Sequence, residues 1–353
     1  MIKPLCLFLA FLVTGIMPLA CTAEETPSSP KELTILTHDS FDIGAAVIAE
    51  FEMEFNATIS IMKGGDAGEV INKAILTKTN PIADILYGID NTFLSRALEE
   101  NIFIAYRSPL LDNVPDSYHL DLGNRVMPVD VGFVTINYDH ALLATKGLAE
   151  PETLLDLTDP SFKGTLVVQN PATSSPGLAF LLSTIAQFGE TGSYTYLDYW
   201  RDLKDNDVLI KNGWSDSYYG DFSIHGGTRP LVVSYSTSPA AEIFYSEGKY
   251  TTPPSRIITS TDSAFMQIEG IGILQGTSHE ILAKHFVDFA MDRTFQEDFP
   301  TRMWVFPVNK LAVTKGVFAD FAEKPATSTR LNSDSIAKNR NRWIKEWTEV
   351  VIR

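Results

Sequence analysis

The chain has 353 residues, 44% apolar and 20% charged, enough to bury a large core and to divide into two domains. Its formal net charge is −16 and no run of Lys or Arg occurs, which argues against a nucleic-acid partner, since phosphate binding wants a basic face. The acidity has two readings: solubility, or a field that favours cationic ligands.

The first 31 residues read as targeting and tether. Lys3 opens a short positive region, and Leu5 to Ile16 is apolar but shorter than the roughly 20 residues of a spanning helix. Pro18-Leu19-Ala20-Cys21 then places a small residue before a cysteine, as at a secretory cleavage site. Residues 1–21 are therefore expected to be a signal peptide, of lipoprotein type if Cys21 is acylated. Pro18 stands where a lipobox has Leu, so ordinary cleavage nearby is the other reading. Residues 22–31 are polar and form a flexible tether. The two cysteines, Cys6 and Cys21, both lie in this leader and show no metal-site spacing. The mature chain is thus expected in the periplasm or at the cell surface, attached to the membrane only through a lipid. No ATP or NAD is supplied there, and no cofactor is expected.

From Glu32 onward strands and helices alternate. Leu33–Leu36 is a β-type run followed by the loop His38-Asp39-Ser40-Phe41, and Ala45 to Phe55 carries Val47, Ile48, Phe51 and Phe55 at helical spacing. Thr58–Met62 is the next strand, Lys63 to Gly68 the next loop and Val70–Leu76 a helix. Ala83–Tyr87 and Asn91–Asn101 repeat the pattern. Such alternation implies a mostly parallel sheet with ligands beyond the carboxyl ends of its strands. Met127–Asn137 and Ala264–Leu274 are longer β stretches. Between them, Thr165–Gln169 and Leu231–Ser234 each lead through a polar loop to Ser-Pro and an apolar helix, with Ser as the expected N-cap and Pro at the first helical position. Leu282–Met291 is helical, and Ser333–Ile352 is a charged amphipathic helix.

The two long β stretches read as crossovers. The expected fold is α/β with two hinged lobes: residues 32–130 and 265–353 form the first and 131–264 the second. A cleft between them suits a binding protein that closes on its ligand.

Enzymatic signatures are missing. There is no G-x-S-x-G elbow and no phosphate-binding P-loop, and His279-Glu280 lacks the second His of a zinc motif. What remains is polar loop tips and aromatics. Asp66, in a Gly-rich loop, reads either as a carboxylate aimed at a cation or as a turn or helix cap. Ser174 and Ser175, like Tyr235-Ser236-Thr237-Ser238, either hold an acceptor group at a helix start or simply cap it. Trp214 and Trp304 either stack on a flat or cationic ligand or are partly buried core.

The blocks THDSF, ADILYGIDN, NPATSSPG, NGWSDSYYG, LVVSYSTSPA and PTRMWVFPV occur in order between Leu33 and Val308. Together they resemble the thiamine-binding receptors of bacterial ABC importers, an extracellular solute-binding family. The resemblance implies two α/β lobes joined by two β crossovers and a thiamine-type ligand in the cleft. It implies ligand contacts from Asp66, Ala67, Ser174, Ser175, Trp214, Trp304 and the loop Tyr235, Ser236, Thr237 and Ser238, with His38 and Asp39 in the THDSF block. The expected partners are a small thiamine-like solute and an ABC permease, the receptor itself being a monomer.

Thiamine offers a flat aminopyrimidine, a cationic thiazolium and an alcohol or phosphate tail, which suit aromatic faces, a carboxylate and helix starts in turn. His38, Ala241 and Arg302 depart from the family pattern, and an aromatic that precedes Gly44 in the family is missing. These departures point toward a phosphorylated or non-cationic relative of thiamine. Two alternatives remain open at this level. One is the same scaffold carrying ferric iron, through the pair Tyr218-Tyr219, or an anion; the other is a secreted hydrolase.

Overall fold

The computed structural model describes residues 1, 30–261 and 263–353. The expected signal after Met1, most of the tether, and Cys6 and Cys21 lie outside the described residues.

The chain opens with β1 (Lys31–Thr37), α1 (Ala45–Phe55), β2 (Ala57–Lys63), α2 (Ala67–Leu76), β3 (Ile85–Asp90), α3 (Leu94–Glu99) and β4 (Phe103–Ile104). The long strand β5 (Met127–Asp139) follows, then α4 (His140–Thr145) and β6 (Leu166–Gln169). The middle of the chain continues with α5 (Ser175–Phe188), α6 (Tyr196–Asp205), β7 (Leu209–Lys211), β8 (Leu231–Tyr235), α7 (Ser238–Phe244) and β9 (Ser255–Ile257). It ends with β10 (Phe265–Leu274), α8 (Glu280–Met291), α9 (Arg293–Asp298), β11 (Phe306–Pro307), α10 (Gly316–Phe321) and α11 (Ser333–Val351).

These elements form two α/β lobes on one curled sheet of order β2-β1-β3-β10-β5-β8-β6-β7. Strands β1, β2 and β3 pair in parallel, as do β6, β7 and β8, the arrangement that helical crossovers allow. Between the two groups run β10 and β5, antiparallel to each other from Phe265↔Val134 to Ile271↔Met127. All of β5 is buried, which explains its near-continuous apolar sequence. The two long stretches are therefore the strands shared by both groups, as expected.

Most element boundaries agree with the sequence reading, and two shift for identifiable reasons. The third strand starts at Ile85, not Ala83, because Asp84 turns its carboxylate onto Thr34 N–H at 2.8 Å. The following helix starts at Leu94, not Asn91, because Asn91 and Thr92 spend their polar groups on Met266 O and Asp90. The C-terminal helix α11 buries Trp343 and Trp347, and Trp347 meets Trp200 of α6 edge-on at 5.5 Å. So the last helix of the chain packs on the middle segment. Among the described residues no helix is long and apolar enough to cross a membrane.

Candidate functional site

The carboxyl ends of β1, β2, β6, β7 and β8 converge on a cavity of about 380 Å³. That is the position where parallel α/β sheets bind ligands, and the size suits a small organic molecule.

Asp66 lines the cavity. It is the N-cap of α2 and its Oδ1 accepts from Ala67 N–H at 2.7 Å. Its Oδ2 accepts from Trp214 N–H at 2.9 Å, a bond made across the cleft. Asp66 thus caps a helix and also lines the cavity. Gly65, at φ +98°, makes the turn that aims it. Burial raises the Asp66 carboxyl above its ordinary range, against the pull of these donors and of nearby His38.

Two aromatic clusters also line the cavity. In one, Trp214 stacks on Tyr218 at 4.8 Å, with Tyr235 edge-on at 6.3 Å. The Trp214 indole N–H donates to Ser234 Oγ at 2.9 Å, which fixes the ring. Gly132 leaves room for Tyr235: a Cβ there would lie 2.8 Å from its ring. In the other, Trp304 packs against Phe244 at 5.3 Å and Tyr245 at 5.8 Å. Trp304 holds φ +58°, a costly backbone for a bulky residue. Its carbonyl accepts from Thr237 Oγ1, which helps hold that conformation.

The helix starts present their serines unevenly. Helices α5 and α7 begin at Ser175 and Ser238, so each Pro is the second helical residue and Ser174 and Thr237 take the cap positions. Neither cap side chain bonds its helix. Ser175 Oγ donates instead to the buried Asp90, and Ser238 Oγ pairs with Ser234 Oγ at 2.8 Å. Because its hydrogen is committed, Ser175 offers the cavity lone pairs rather than a donor.

Below the aromatic walls lies an acidic floor. Glu269 of β10 lines the cavity, 3.4 Å from His38 Nε2, and accepts from Gln267 Nε2 at 3.0 Å. Asp130 of β5 is paired in register with Glu269 and accepts from Tyr87 OH at 3.2 Å. Burial raises the Glu269 carboxyl to about 8 and lifts Asp130 well above the carboxylate range. Burial lowers His38, against the pull of Asp66 and Asp130.

Ten of the twelve expected contact residues line the cavity: His38, Asp39, Asp66, Ala67, Ser175 and Trp214 from one set of loops, and Tyr235, Thr237, Ser238 and Trp304 from another. Ser174 and Ser236 do not; both are fully buried beside it, Ser236 Oγ donating to Glu323 O at 2.6 Å. Tyr245 and Glu269 line it without having been expected, and so does Tyr219, which the sequence offered only as one of the iron pair.

The departures also find physical settings. Tyr245, one helical turn after Ala241, supplies an aromatic beside it. Arg302 lies at the rim with its charge held by Asp298 at 2.8 Å and Asp42 at 3.7 Å, so it is not a free cation in the cleft. Of the proposed iron pair, Tyr218 commits its hydroxyl to Glu242 at 2.8 Å. Among the described residues no group of three or more His, Cys, Asp or Glu is placed to hold a metal ion.

The pattern of the family described as bacterial extracellular solute-binding protein matches residues 80–339. The thiamine-binding periplasmic protein of Salmonella typhimurium is 29% identical over 344 residues, covering 96% of this chain and 98% of that protein. The thiamine-binding periplasmic protein of Brucella suis is 27% identical over 351 residues, covering 98% of each. A solved periplasmic thiamin binding protein superposes with a TM-score of 0.81 at 26% identity, over 96% of this chain and 100% of that one.

Proposed function

The chain belongs to the bacterial extracellular solute-binding protein family, and on that premise we propose that it is the thiamine receptor of an ABC importer. One observation carries the ligand: a cavity of about 380 Å³ lined both by a carboxylate, Asp66, and by the aromatics Trp214, Tyr235, Trp304 and Tyr245. A flat cationic solute uses both features at once. The rings stack on the walls with about 0.5–2 kcal/mol each from cation–π attraction. A charge-assisted bond to the carboxylate adds about 1.5–3 kcal/mol. Ser175, an acceptor toward the cavity, suits an amine or hydroxyl of the solute. The acidic floor and the paired Arg302 favour a cation over an anion. The names of the thiamine-binding relatives support the same choice.

In this reading Asp66, Ala67, Ser175, Trp214, Tyr235, Thr237, Ser238 and Trp304 contact solute, with His38 and Asp39 at the edge. Ser174 and Ser236 support the loops from behind. The lobes comprise residues 32–130 with 265–353 and residues 131–264, α11 crossing back onto the second lobe. The receptor acts in the periplasm, held by a lipid on Cys21, and hands solute to a membrane permease without transforming it. Titration calorimetry against thiamine, its phosphates and its pyrimidine precursors tests the assignment. Sub-micromolar binding of thiamine is expected; no heat from any of them rejects the ligand class.

A further inference from the structure

Glu269 and Asp130 stand directly opposite each other on antiparallel strands, where side chains on one face have Cβ atoms about 4.5–5.5 Å apart. Asp130 is fully buried, and its Oδ1 has no hydrogen-bond donor. A buried acceptor without a donor is costly, and a proton carried by the neighbouring carboxyl removes that cost. Both oxygens of Glu269 have partners, Gln267 on one and His38 on the other, yet the residue still reaches the cavity wall. Asp39, Asp66, Glu69 and Asp216 also line the cavity, but of these acids only Glu269 lies inside a buried strand beside a second carboxyl.

We propose that Glu269 is a second recognition carboxylate and that a cationic solute, on entering the cleft, displaces a proton shared by Glu269 and Asp130. The inference rests on the thiamine reading above and adds to it a second acid and a proton. The O–H bond of the carboxyl pair breaks, its electrons stay on oxygen, and the proton leaves to solvent. The positive charge of the solute takes the proton's place, and no bond to the solute is made or broken. Of the groups facing the pair, the carboxylates Asp90 and Asp66 favour its protonated form, whereas His38 and the Tyr87 hydroxyl favour the ionised Asp130. Asp90 and Tyr87 face it from β3, Asp66 from the start of α2, and His38 from the loop after β1. Tyr235 of β8 is kept neutral by burial, and Lys63 of β2 acts on His38 by lowering it. Arg340 of α11 offsets Asp90. The empty floor therefore holds more acids than bases, and protonation relieves it until a cation arrives. A solute of the same shape without the charge keeps the proton in place and loses this contribution, so the pair discriminates by charge.

The test is calorimetry of thiamine binding at pH 6.5 in buffers of different ionisation enthalpy. About one proton released per thiamine is expected, with affinity rising up to about tenfold per pH unit from 6 to 7 and flattening above about 8. Glu269→Gln, which keeps the shape, is expected to bind more weakly with no proton release and a flat profile. Thiamine binding with the same heat in every buffer overturns the proposal. So does proton release that survives Glu269→Gln, which places the proton on a group other than Glu269. No binding at any pH overturns the ligand reading itself and this inference with it, a pattern distinct from binding without protons.

Discussion

Asp66→Asn isolates charge from shape in the cleft. The variant keeps the volume and one carbonyl oxygen, which can still accept from Ala67 N–H, and Asn caps a helix about as well as Asp. The start of α2 is therefore expected to hold. The amide nitrogen then faces a backbone N–H, so one of the two bonds, at 2.7 and 2.9 Å, becomes donor against donor. The larger loss is the negative charge offered to the solute. A charge-assisted bond of about 1.5–3 kcal/mol corresponds to about 10–150-fold in affinity. Calorimetry with thiamine, alongside thermal unfolding of the empty protein, separates the two effects. An affinity within about threefold of the natural protein, at unchanged melting temperature, refutes the assignment of Asp66 as the cation's partner.

The remaining expectations concern the wall, the floor and the tail. Trp304→Ala is expected to weaken thiamine binding at least about tenfold and, by emptying a packed site against Phe244 and Phe318, to cost about 3–5 kcal/mol of stability. Trp304→Phe keeps part of the wall, and calorimetry is expected to rank it between the two. The empty protein is expected to lose stability as pH rises. Glu269 is protonated in the folded state up to about 8 but ionises near the ordinary carboxyl range when unfolded, so its contribution is full below that range and is lost through about 8. The slope is at most about 1.4 kcal/mol per pH unit per group, and melting curves from pH 5 to 8.5 check it, with Glu269→Gln removing its share. Replacing Trp343 and Trp347 by Ala is expected to destabilise the fold by several kcal/mol, seen as a lowered midpoint in urea.

The alternation of strand and helix carried most of the fold, because each strand's apolar run and each helix's spacing is a local property. The cavity lining was legible where a loop follows a predicted strand, as at Asp66 and Ser238, and where a large aromatic stands among Gly and polar residues, as at Trp214. Ser174 and Ser236 were over-read because a helix start turns adjacent side chains in different directions. Of these four serines, Ser175 and Ser238 line the cavity, and which serine of a helix start does so depends on where the helix begins. Glu269 and Asp130 were missed because they lie inside strands rather than loops. Their signal was present as single acids in the otherwise apolar runs MPVDVGFVTIN and AFMQIEGIGIL, where an ionisable group on a buried strand demands an explanation. Tyr245 was missed because Ala241 was judged alone, although the next residue on that face of α7 lies one turn later.

The packing of α11 bears on the order in which the molecule is completed. Trp200 is shielded by Trp347, a residue almost 150 positions further along the chain and only a few from its end. That face of Trp200 stays uncovered until α11 is made, and contacts of such long sequence separation form late. A chain cut before Ser333 leaves Tyr196, Trp200 and Leu203 uncovered, a sticky surface on an otherwise finished body. Arg353, by contrast, ends exposed, so an extension added there meets solvent and not the core.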